Sequence, residues 1–137
     1  MSAAFAFALA AAASGLAPGA YEFRTVDLVD GKPVCTEQWT FGAGGEMTVN
    51  SGKEVAKSTY RFETDRDGEW LVTTYVSTNG QPDCMDNVTA DPPVGQVRRT
   101  LLLRFNNGGV QLCPAPSHTD KGIPLISGCF ATLTRKQ

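Results

Sequence analysis

A single histidine, His118, is present in the 137 residues. Any imidazole base or mixed histidine metal site therefore has one candidate. Its neighbours Ser117, Thr119 and Asp120 point apart along the chain and cannot form a triad with it. His118 reads as a solvated loop histidine, and no catalytic residue is expected. Close cysteine pairs are lacking too. Cys35, Cys84, Cys113 and Cys129 contain no C-x-x-C spacing, and structural zinc wants thiolates or imidazoles in close pairs, so neither a metal nor another cofactor is expected. Charge of one sign is also missing. Twelve basic against fourteen acidic residues give a net charge of -2, which offers no basic stripe for nucleic acid. No apolar run reaches the roughly 20 residues of a spanning helix, so no membrane span is expected. Past residue 20 no segment keeps a 3.6-residue apolar period for three turns, which argues against helices.

Period-two alternation between turn residues is what remains. It predicts strands over 21–29, 34–41, 46–50, 56–64, 70–78, 96–106, 110–113 and 127–135. Asp30-Gly31, Asp67-Gly68, Asn79-Gly80 and Asn107-Gly108 supply cheap positive φ between them, so consecutive strands should pair antiparallel. About eight short strands in one domain predict an all-β fold, a small antiparallel up-and-down barrel with a sandwich as the alternative.

The chain begins with an uncharged run, AAFAFALAAAA over 3–13, followed by Ser14, Gly15 and Pro18. Its length and small-residue exit match a secretory signal peptide over 1–20, cleaved after Ala17 or Ala20, ahead of a single domain over 21–137. Four cysteines behind such a leader read as two disulfides in an oxidising compartment, periplasmic or secreted. Three connectivities are open. Two long connections, 79–93 and 114–126, interrupt the hairpins, and a bridge closing a loop of about 15 residues stabilises by roughly 3 kcal/mol on the chain-entropy model. That favours Cys113 with Cys129 as a clamp on the second loop, leaving Cys35 with Cys84.

Alternation also assigns faces. Trp39 and Phe41 share one with Cys35 and Glu37, Tyr60 and Phe62 share one, and Leu101, Leu103 and Phe105 share one with Arg99. The aromatics among these residues are the expected core. Arg99, Trp39, Phe41, Tyr60, Phe62, Leu101 and Leu103 are the candidate lining of a ligand site, with the Arg99 guanidinium placed to anchor a ligand carboxylate. Glu63, Asp65, Asp67 and Glu69 form an acidic hairpin without the ligand spacing of a calcium loop. Asp83, Asp86 and Asp91 lie with Met85 in the Cys84 loop, where binding residues concentrate.

Trp39-Thr40-Phe41, then Gly45-Glu46-Met47-Thr48-Val49 after a glycine-rich turn, then Tyr60-Arg61-Phe62 and a hairpin to Trp70-Leu71-Val72 resemble the bacterial lipocalin-like, calycin-type small barrels. The resemblance covers residues 33–78, with Glu37-Gln38-Trp39 standing where that family opens on Gly-x-Trp. It implies an up-and-down barrel with an apolar interior and no catalytic machinery. The expected function is a non-enzymatic exported protein that binds a small apolar or amphipathic ligand. The alternative is an inhibitor or protein-interaction module acting through the loops 79–93 and 114–126.

Overall fold

Alternating apolar and polar residues become strands by pairing their backbone edges, and here each of the eight barrel strands is paired on both sides. A computed structural model describes residues 15–137, so most of the expected leader lies outside the described residues. The strands are β1 (Gly19–Thr25), β2 (Leu28–Val29), β3 (Lys32–Pro33), β4 (Thr36–Phe41), β5 (Glu46–Ser51), β6 (Glu54–Asp65), β7 (Gly68–Thr78), β8 (Val97–Arg104), β9 (Val110–Cys113), β10 (Ser117–His118), β11 (Pro124–Leu125) and β12 (Ala131–Arg135). Eight of them close a barrel in the order β1-β12-β9-β8-β7-β6-β5-β4. β1 seals it by pairing on both sides, Tyr21 standing opposite Arg135 on β12 and opposite Trp39 on β4. Closure removes the unpaired edges that an open sheet would expose. No helix among the described residues is long and apolar enough to cross a membrane.

The antiparallel barrel expected from the sequence is therefore the fold, and both disulfides join as expected, Cys35 with Cys84 and Cys113 with Cys129. Several boundaries differ. The strand expected over 21–29 breaks after Thr25, and Leu28–Val29 instead pairs with Lys32–Pro33 in a separate small hairpin. Asp30 and Gly31 carry φ of 52° and 75° at its tip, the left-handed pair that a tight hairpin requires. Asn79-Gly80 opens a long loop rather than a tight hairpin. The second long connection carries its own hairpin, β10–β11, which the sequence pattern did not suggest.

Two apolar clusters lie on opposite faces of the same wall. Inside the barrel are Tyr21, Phe23, Phe41, Met47, Leu71, Leu102, Val110, Leu112, Ala131 and Leu133. Phe41, Leu71, Leu112 and Leu133 are at most 1 % exposed, and each such side chain contributes about 1.5–3 kcal/mol by leaving water. Outside the barrel, Trp70, Val72, Leu101 and Cys113 form a second cluster with Leu103 and Cys129. The loop that covers this outer face leaves β9 at Cys113, reaches Asp67 through the His118 ring at 3.0 Å, and returns to Cys129. His118 is thus a tether of the β10–β11 hairpin rather than a freely solvated side chain.

This outer cluster corrects the expected phase of β8. Thr100 and Leu102 face the interior, while Arg99, Leu101 and Leu103 face outward. Phe105, expected in the core, lies beyond the strand and is 42 % exposed. Three consecutive leucines make β8 apolar on both faces, so alternation cannot choose between them; the covering loop is what allows both to be buried.

Candidate functional site

The interior is filled at one end and hollow at the other. At the filled end Phe41 meets Tyr21, Tyr60 and Phe62 at centroid distances of 5.5, 4.9 and 6.0 Å. Edge-on contacts are a favoured arrangement of aromatic rings. Leu16, just ahead of β1, packs on this cluster, and the Tyr21 hydroxyl donates to the Ala17 carbonyl at 2.7 Å. Arg104 holds the same segment by donating to the Gly15 carbonyl. Burial raises the Tyr60 pKa above its ordinary value, with the Glu46 carboxylate and Tyr21 adding to the shift.

Toward the other end the cavity opens, with a volume of about 420 Å³. Its floor and lower walls are Phe23, Trp39, Met47, Val49 and Leu71, and Phe23 lies stacked on Trp39 at 5.0 Å with the ring planes 12° apart. Polar side chains reach it higher up: Ser58 from β6, Thr73 and Tyr75 from β7, Arg98 and Thr100 from β8, and Glu37 from β4. A shift of register in the β6–β7 pair between Lys57 and Ser58 lets β7 keep Tyr75 opposite Ser58, as bulges at barrel rims often re-aim a side chain. Glu37 Oε1 accepts a hydrogen bond from Trp39 Nε1 at 3.1 Å, which fixes the indole in the wall.

The loop 79–96 forms part of the rim, contributing Thr89, Pro93 and Gln96 to the cavity. It is sewn to the turn between β5 and β6. The Pro82 carbonyl accepts from the Lys53 and Glu54 amides at 2.9 and 3.0 Å, and the Cys84 amide donates to the buried Ser51 hydroxyl at 3.0 Å. Gly52, at φ 57°, makes this contact possible, because a Cβ there would stand 2.7 Å from the Asp83 carbonyl carbon. The Asp83 carboxylate accepts from the Met85 and Asn87 amides at 2.8 and 2.9 Å. It therefore shapes its own loop. The Cys35–Cys84 bridge fastens the loop to the start of β4.

The sequence-derived candidates separate into three groups. Trp39 lines the cavity, while Phe41, Tyr60 and Phe62 lie in the packed end beneath it. Arg99, Leu101 and Leu103 are on the outer wall. There the Arg99 guanidinium stands 4.4 Å over the Trp70 ring and 3.5 and 3.6 Å from Glu63 and Asp65. The cavity arginine is its neighbour Arg98, whose assignment needed only the opposite phase of β8. Phe23, Met47 and Thr73 were also missed, because each reaches the cavity through strand register rather than through a local pattern.

Elsewhere the acidic hairpin is a set of separate pairings. Glu63 meets Arg61, Glu69 meets Arg104, Asp67 meets His118, and Asp65 accepts from Trp70 Nε1 at 2.8 Å. The Trp70 bond, backbone amides and Arg99 together hold the Asp65 carboxyl below its usual range. Cys35, Glu37 and Cys84 bring three ligand-type atoms within 4.8 Å of one another, yet sulfurs joined in a disulfide do not ligate.

The arrangement defines a closed antiparallel β-barrel with one packed end and an internal cavity at the other, its mouth rimmed by a disulfide-anchored loop. No protein family model, curated protein or solved structure matches this chain.

Proposed function

We propose that this is an exported, non-enzymatic binding protein whose lipocalin-like barrel holds one small apolar or amphipathic molecule. The carrying observation is the cavity of about 420 Å³ over an apolar floor of Phe23, Trp39, Met47, Val49 and Leu71. Ligand pockets are typically about 300–1,000 Å³, mostly apolar, with a few placed polar groups. Two disulfides suit an oxidising, extracellular compartment. Trp39 supplies an internal reporter, because it lines the cavity whereas Trp70 is in the outer cluster. Titration of a neutral apolar probe such as octanol should change Trp39 emission saturably. Ala56→Phe, which projects bulk into the cavity, should abolish the change while near-ultraviolet circular dichroism stays native. No saturable response in the parent protein would overturn the proposal.

A second reading rests on the loops. Met85 and Val88 on one, and Ile123 and Leu125 on the other, are each more than half exposed, on segments that disulfides hold in place. A barrel that takes no apolar probe leaves these loops as the working surface, through contact with another protein.

A further inference from the structure

Two opposite charges face the cavity from opposite walls. Arg98 is the second residue of β8 and Glu37 the second of β4. Four steps separate these strands in either direction around the eight-stranded ring. Both side chains line the cavity, near its mouth. Arg24, Arg61, Arg99 and Arg104 each have a carboxylate within ion-pair distance, but neither Arg98 nor Glu37 has a charged partner among the described residues. The barrel holds the two charges apart and leaves the space between them open.

We infer that the ligand is a small zwitterionic amphiphile, its anionic group at Arg98, its ammonium group at Glu37, and its tail on the apolar floor. This rests on the cavity reading above and deepens it. The surroundings of each charge suit its assigned partner. Beside Glu37 lie the Trp39 and Phe23 rings, and Phe130 also lines the cavity; aromatic faces together with a carboxylate are what attract an alkylated ammonium. Around Arg98 are Thr73, directly opposite it in the β7–β8 register, and Gln96, Thr100 and Tyr75, all in the cavity wall. A guanidinium fork with neutral donors beside it suits a carboxylate or other oxyanion. A ligand carrying only one charge would meet a like charge on the facing wall. A ligand carrying both satisfies both.

The test is isothermal calorimetry with four probes of one tail length on the intact, disulfide-bonded protein: N-octyl-N,N-dimethylglycine, octanoate, octyltrimethylammonium and octanol. The zwitterion should bind about tenfold more tightly than either singly charged probe, one charge contact being equivalent to ~1.4 kcal/mol. Arg98→Gln should bring its affinity down to that of octyltrimethylammonium, and Arg98→Lys should restore part of the loss. Glu37→Gln keeps an acceptor for Trp39, and should bring the zwitterion down to octanoate without weakening octanoate itself. Octanol or a singly charged probe binding as tightly as the zwitterion overturns the inference and leaves the cavity reading standing. So does unchanged zwitterion affinity in both Arg98→Gln and Glu37→Gln. Failure of all four probes to bind overturns both.

Discussion

Arg98 and Arg99 are adjacent residues of one type with different surroundings. The first has a guanidinium at the cavity mouth, and the second stacks on Trp70 and shares Glu63 and Asp65 on the outer wall. Strand geometry separates them, since successive side chains leave opposite faces of a sheet. Asp65 shows what the outer set does to a carboxyl. It accepts from Trp70 Nε1 at 2.8 Å and from the Asp67 amide at 2.9 Å, with Arg99 nearby. These favour its ionised form and lower its pKa from the ordinary 3.8. A carboxyl lowered by folding contributes stability that is present above its unfolded pKa and lost as pH falls through the folded one. Asp65 should titrate with a midpoint below 3.8 when followed by NMR, and Trp70→Phe should raise that midpoint. A midpoint unmoved by Trp70→Phe would show that the indole bond is not the main cause. Tyr60 behaves oppositely at the alkaline end. Its raised pKa favours the neutral hydroxyl, so its contribution is intact below the unfolded value and lost as pH rises through the folded one. Tyr60→Phe should flatten the fall in stability above about pH 10, measured by urea unfolding at a series of pH values.

Among the elements, the loop 79–96 depends most on a single residue. At Gly52 a side chain would need both a left-handed φ of 57° and space already occupied by Asp83. Gly52→Ala should therefore cost about 1–3 kcal/mol in chemical denaturation. It should also speed hydrogen exchange at the Cys84 amide, which donates to Ser51. A strand or turn effect confined to β5 and β6 would leave that amide protected. The two disulfides act on different elements. Cys113–Cys129 closes the loop over the outer cluster, at a sequence separation of 16, and Cys35–Cys84 spans 49 residues to hold the cavity rim. On the chain-entropy model these are worth about 3 and about 4 kcal/mol. Cys35→Ala with Cys84→Ala should lower stability and loosen the rim, with exchange in the outer cluster unchanged. The turn dipeptide Asp30-Gly31 was legible as a hairpin because the positive φ it supplies is a local property. The break in the first expected strand was not, because Val26 and Leu28 continue the alternation past Thr25, where the β1 ladder ends; both remain 40 % or more exposed.

At the scale of the whole barrel, closure through β1 also bears on where an exported form would begin. Gly19 and Ala20 pair with Phe41 and Thr40, and the Ala20 carbonyl accepts from the Lys136 amide at 2.9 Å. Cleavage after Ala20 would strip this corner of the barrel, whereas cleavage after Ala17 leaves β1 whole and removes only the contacts that Gly15, Leu16 and Ala17 make at the packed end. If the leader is removed on export, N-terminal sequencing should thus read Pro18 first, and a chain beginning at Tyr21 would contradict it. The all-β class, the barrel, the disulfide pairing and Trp39 as an inward aromatic were readable from the chain alone. They depend on period-two patterning, on turn chemistry and on loop length, all of which are local. The inner and outer assignments of β8, the tether between His118 and Asp67, and the facing of Glu37 and Arg98 across the cavity were decided only by tertiary structure. A strand of consecutive leucines has no preferred phase until a distant loop covers one of its faces, and two charges 61 residues apart oppose each other only once the ring of strands has closed.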